Sequence, residues 1–215
     1  MKRIILSVAI AVSCLAVNAQ SDRYKAAMEK LVPAVDTTRS IAGLAELANS
    51  FQRIAEAEKT QWLPYYYAAL VNINAANVFF TTGQTEQIDP LADKATPLVA
   101  KAEELQKDNS EIFILKKMLN TAKMMADPQS RYMELGPVAA EALETAKKLN
   151  PENPRVYLLE GQDLFFTPEQ FGGDKQEAKK RFEEAMKKFE SYKPADSISP
   201  NWGKMQAAYF LSQIK

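Results

Sequence analysis

Apolar positions in this chain do not alternate with polar ones as they do in half-buried strands. They run in long stretches rich in Ala, Leu, Lys and Glu, interrupted by prolines and short polar turns. The pattern predicts helices over residues 21–35, 38–59, 62–82, 90–107, 110–126, 129–149, 154–166, 174–191 and 201–214. Helix punctuation sets these boundaries. Asp89-Pro90, Asp127-Pro128, Asn153-Pro154, Thr167-Pro168 and Ser199-Pro200 each place a capping side chain before a proline, whose missing N–H is harmless at a first helical position. Asp174-Lys175-Gln176-Glu177, after Gly172-Gly173, reads as a capping box. Connections are short, so consecutive helices should fold back as antiparallel hairpins. No long linker or low-complexity tract divides the chain, which predicts an all-α fold of about nine helices in one domain over 20–215.

The first nineteen residues follow a different pattern. Lys2 and Arg3 precede an apolar run from Ile4 to Val17, and Val17-Asn18-Ala19 resembles a cleavage site with small flanking residues. That is the plan of a secretory signal peptide, and a run of 14 residues is shorter than the ~20 a membrane-spanning helix needs. Cleavage near Ala19 would leave a periplasmic or secreted chain. Lipidation at Cys14 is the competing reading, but Ala11-Val12-Ser13 lacks a Leu three residues before the cysteine.

Four segments align on pairs of alanines seven residues apart: Ala48/Ala55, Ala95/Ala102, Ala139/Ala146 and Ala178/Ala185. Seven residues are two helical turns, so each pair shares a face and lets another helix approach closely. Val99, Leu143 and Phe182 follow four residues after the first alanine, as apolar packing positions should. This pattern resembles the tetratricopeptide (TPR) repeat. The best copy adds Pro151 at the turn, then Tyr157, Gly161 and Leu164 at the aromatic, glycine and core positions of the next helix. Tyr66 and Ile73 take the equivalent places earlier in the chain, whereas Lys117 and Asn120 depart from the pattern. The first alanines lie 47, 44 and 39 residues apart, so the repeats are longer than the 34 residues of the family. The loop Pro168-Glu169-Gln170-Phe171-Gly172-Gly173-Asp174 looks like one in envelope TPR-like proteins associated with TRAP-type transporters. Its local role is simpler: a proline turn, two glycines able to take positive φ, and Asp174 as a cap.

The resemblance implies an α-solenoid whose concave wall comes from the first helix of each hairpin. By that register Tyr67, Val71, Asn74, Ile114, Met118, Thr121, Leu158, Gln162 and Phe165 would face a partner. The aromatics Trp62, Tyr65, Tyr66, Tyr67, Phe79 and Phe80 read either as core or as groove lining, with Tyr67 the best groove candidate.

Charge and chemistry narrow the function. The 27 basic and 27 acidic residues leave no basic excess for nucleic acid or anionic lipid. No segment after the leader is long and apolar enough to span a bilayer. The chain has no histidine, and Cys14 is its only cysteine, which excludes histidine-based triads, thiol nucleophiles and ordinary zinc sites after cleavage. Phosphate-cradling glycine loops and a DxDxDG calcium loop are missing too. Glu103-Glu104 and Glu183-Glu184 are adjacent on helices and diverge by about 100°. No cofactor, metal or enzymatic activity is expected. The leading expectation is a scaffold for a protein or peptide partner. The alternative is a small-molecule or lipid carrier subunit of an envelope transporter, with an apolar ligand.

Overall fold

A computed structural model of the protein describes residues 22–214, so the signal-peptide and Cys14 readings lie outside the described residues. Among these residues there are nine α-helices and no strand. They are α1 (22–31), α2 (Ile41–Ala57), α3 (Trp62–Thr81), α4 (Ile88–Leu105), α5 (Ser110–Ala126), α6 (Pro128–Leu149), α7 (Pro154–Phe166), α8 (Lys175–Ser191) and α9 (Lys204–Gln213).

Several caps form as their side chains dictate. The Asp127, Asn153 and Asp174 carboxylate or amide oxygens accept backbone N–H groups from Ser130, Arg155, and Gln176 with Glu177 respectively. The reciprocal half of the capping box at Asp174 is not made, because its N–H donates to Leu164 O and Glu177 pairs instead with Lys180 and Arg181.

Four boundaries differ from the sequence expectation. Asp89 is not a cap: α4 begins one residue earlier, Pro90 occupies the first turn where its lost donor is still harmless, and Asp89 grips Arg131 of α6 through two bonds of 2.6 and 2.8 Å. Thr167-Pro168 starts no α-helix; Pro168 leads into a 3-10 turn, Glu169–Phe171. Ser199-Pro200 starts no helix, and α9 begins only after Gly203, whose φ of 106° suits glycine alone. The expected helix over 21–35 stops being α-helical at Pro33, where a helix interior would lose a hydrogen bond, and continues as the 3-10 segment Val32–Asp36.

The repeat alanines Ala48, Ala55, Ala95, Ala102, Ala139, Ala146, Ala178 and Ala185 are all buried. They sit on α2, α4, α6 and α8, which pack closely against the odd-numbered helices α3, α5 and α7. In the last hairpin, a β-carbon at Gly161 would meet the Phe182 ring at 2.5 Å, so glycine is what lets α7 and α8 approach. Packing is uneven along the array. The pairs α2–α3, α3–α4, α5–α6 and α7–α8 are extensive, α3 also meets α5, and α6 touches α7 only lightly.

The chain ends tie the array together. Residues 192–203 form a non-helical strap between α8 and α9, with a turn at 195–199. It meets the N-terminal segment where Ser197 donates to Glu29 and the Gly203 N–H donates to Asp36.

Candidate functional site

The first turns of α3, α5 and α7 bring Tyr66, Glu111 and Arg155 together beneath the strap. Arg155 is fully buried, and its guanidinium donates to Glu111 Oε1 at 3.0 Å and to the carbonyl of Pro200. The Asn153 amide donates to the same Glu111 oxygen at 2.7 Å, while the Tyr66 hydroxyl donates to Oε2 at 2.9 Å. Trp202 of the strap then donates its indole N–H to the Tyr66 oxygen at 2.7 Å. The Tyr192 and Trp202 rings lie 4.9 and 5.3 Å from the guanidinium carbon, close enough for cation–π attraction. Burial works against the Arg155 cation, but Glu111 and the surrounding phenols more than offset it and keep its pKa above the ordinary range. Burial pushes the Tyr66 phenol well up, and Glu111 adds to the shift, so it stays a neutral donor.

This network decides which part of the expected wall is open. Tyr67 is 1% exposed: its ring stacks on Phe51 at 5.0 Å and its hydroxyl donates to Ile198 O of the strap at 2.8 Å. Val71, Ile114, Met118 and Leu158 are buried as well. Asn74, Thr121, Gln162 and Phe165, nearer the C-terminal ends of the same helices, are half-buried. Of the buried residues, the strap covers Tyr67 through Ile198 and lies against Leu158 through Gly203. Of the aromatic cluster, Tyr66 and Tyr67 are core, whereas Trp62, Tyr65, Phe79 and Phe80 are half-buried. Lys117, which breaks the repeat pattern, bridges α5 to α7 by donating to Asp163 at 2.6 Å and to Thr121 at 2.9 Å.

The open end carries an aromatic terrace, of which sequence reasoning singled out only Phe165 as a binding residue and Phe182 as a packing one. Phe165 and Phe166 of α7, Phe182 of α8, and Tyr209 and Phe210 of α9 form one connected set. Phe210 stacks on Phe182 at 5.2 Å and meets Phe165 and Phe166 at 5.4 and 5.6 Å. Tyr209 joins at 5.5 Å. Phe182 is buried and Phe165 and Phe210 are half-buried, whereas Phe166 and Tyr209 remain 61% and 60% exposed. Lys175, at the start of α8, places Nζ 5.8 Å from the Phe165 ring centre. The glycine-rich loop lies beside this end. Only Gly172 has positive φ; Gly173 is needed because a β-carbon there would overlap Thr167 O at 1.7 Å. The loop is thus fixed against the end of α7 and displays Phe171, 71% exposed.

Elsewhere, α6 exposes Tyr132, Met133 and Val138. Two shallow depressions of about 410 and 390 Å³ lie over the α4–α5 and α6–α7 turns, but charged side chains such as Glu103, Lys107, Glu144 and Lys147 line them. Neither resembles the mostly apolar cavity of a small-ligand site. Glu111 and Arg155 were also missed in the sequence. Their signal was faint: a single charge directly behind a helix cap in an otherwise apolar first turn.

No family model matches the chain, and no curated protein matches it. Among solved structures, the HusA haemophore from Porphyromonas gingivalis is similar, with a TM-score of 0.77 and 34% identity over 89% of this chain and 92% of that one.

Proposed function

This chain belongs to the family of the HusA haemophore, and from that premise we propose that it is an exported protein that binds haem or a closely related tetrapyrrole. The observation that carries the proposal is likeness over nearly the whole of both chains to a protein whose name makes it a haem-capturing one. Small-molecule binding displaces the protein scaffold as the main role. The strap already occupies part of the wall a peptide would use, with Tyr67 bonded to Ile198 and Leu158 beside Gly203. The leader over residues 1–19 supports export. The TPR-like description of the hairpins is part of the same proposal, supported by buried alanine pairs at two-turn spacing and by Gly161 against Phe182.

The sequence constrains how haem would be held. With no histidine, and no cysteine beyond Cys14, two of the usual iron ligands are missing from residues 20–215, and Tyr and Met are the ligand types that remain. The proposal places most of the affinity on the porphyrin faces and carboxylates: apolar burial, ring stacking and salt links. The test is an absorbance titration of haem into purified 20–215. Saturable binding with Kd of about 1 μM or tighter is expected. Absorbance indistinguishable from haem in buffer would remove the proposal.

A further inference from the structure

We infer that the terrace of Phe165, Phe166, Tyr209 and Phe210 is the surface on which a flat conjugated ligand stacks, with Lys175 receiving one of its carboxylates. This rests on the haem-binding proposal and adds the place and the chemistry of recognition.

The aromatic set has one half that structural needs explain and one half they do not. Phe182 and Phe210 stack nearly parallel, with an interplanar angle of 10°, and seat α9 on α8. That accounts for the inner rings. Phe166 and Tyr209 contribute little to this seam, since most of each ring faces water. Both nevertheless contact Phe210, from α7 and from α9 respectively. Two exposed rings on different helices, braced on a third, make a rigid apolar platform, which lowers the ordering cost of binding. Such a platform suits a planar ligand whose faces also seek aromatic partners.

Charge selects among planar ligands. Lys175 carries its ammonium at the edge of the terrace and makes no ion pair there among the described residues, while the neighbouring Asp174 has its carboxylate committed to the Gln176 and Glu177 N–H groups. A ligand with a flat apolar body and peripheral carboxylates fits both features, as a porphyrin does and a neutral lipid does not. The second exposed apolar patch, Tyr132 and Met133 on α6, has no comparable connected ring set.

The experiment compares wild type, the F166A/Y209A variant, the Y132A/M133A variant and K175Q in the same haem titration. All substituted side chains are exposed, and thermal melts check that each variant folds. The inference predicts affinity at least about tenfold weaker in F166A/Y209A, or ~1.4 kcal/mol, and less than about twofold change in Y132A/M133A. K175Q should weaken haem binding several-fold yet leave the dimethyl ester of the porphyrin unaffected. Tight binding by wild type and F166A/Y209A alike would overturn the placement while leaving haem binding intact. No binding by wild type would remove both. Sedimentation of the ligand-free chain reads the other occupant: a dimer abolished by F166A/Y209A would assign the terrace to a second copy of the chain and overturn the inference.

Discussion

Trp202 donates its indole N–H to the Tyr66 hydroxyl at 2.7 Å, across 136 residues of sequence. The bond joins the strap to the first turn of α3, and through Tyr66 to the buried Glu111–Arg155 pair. Removing the Tyr66 oxygen strands both the indole N–H and one Glu111 oxygen. Tyr66→Phe should therefore cost about 1–3 kcal/mol in urea unfolding, and the Y66F/W202F double variant should lose less than the sum of the singles. Additive losses would mean the two groups do not act together.

The Arg155–Glu111 pair gives a larger effect. Arg155→Met leaves Glu111, with its side chain only 11% exposed, without its cation. The expected loss is about 3–5 kcal/mol, because an uncompensated buried charge costs more than the pair contributes. Replacing both, as in R155M/E111L, should recover part of that loss. Chemical denaturation of the three variants measures it.

Gly161 tests the seam of the last hairpin. An alanine there puts a methyl group 2.5 Å from the Phe182 ring, and the helices must part or the ring must turn. Gly161→Ala should destabilise by about 1–3 kcal/mol despite alanine's better helix propensity, and F182L should rescue it. A more stable G161A would show that the seam is loose.

Acid should loosen the strap. The Asp196 carboxyl accepts from the Ser199 hydroxyl at 2.7 Å and from the Ser199 and Ile198 N–H groups at 2.8 and 3.1 Å. The Ser199 hydroxyl foremost, against a smaller opposing effect of burial, lowers its pKa below the usual 3.8. A depressed carboxylate contributes stability that is present above the unfolded value and lost as pH falls through the folded one. Asp36 has the opposite sign: burial raises its pKa, so its contribution is present in acid and lost as pH rises. Thermal melts should show D196N below wild type at neutral pH, with the gap closing below about pH 3.8. A gap independent of pH would contradict the assignment.

Local rules made much of the helical framework legible. Spans such as 110–126 and 154–166 match because caps and prolines act within a few residues. The alanine pairs found their buried seams for the same reason. The strap was not legible: its sequence, Tyr192 to Gly203, holds two prolines, and its meaning depends on Tyr66, Tyr67 and Arg155 far away in the chain. The register that assigned Tyr67, Val71, Ile114, Met118 and Leu158 to an outward wall could not see that they would be buried, Tyr67 beneath a distant segment. The terrace was hidden likewise, since Phe166 and Tyr209 read like any apolar residue at a helical spacing until α9 is seated on α7 and α8.

The central claim is that this chain holds a tetrapyrrole by its ring and carboxylates rather than through the iron, in a sequence with no histidine. Titrating residues 20–215 in parallel with haem and with iron-free protoporphyrin IX measures that claim directly. The account predicts dissociation constants within about threefold of each other, a difference of under ~1 kcal/mol. Saturable haem binding alongside undetectable binding of the iron-free ring would contradict it.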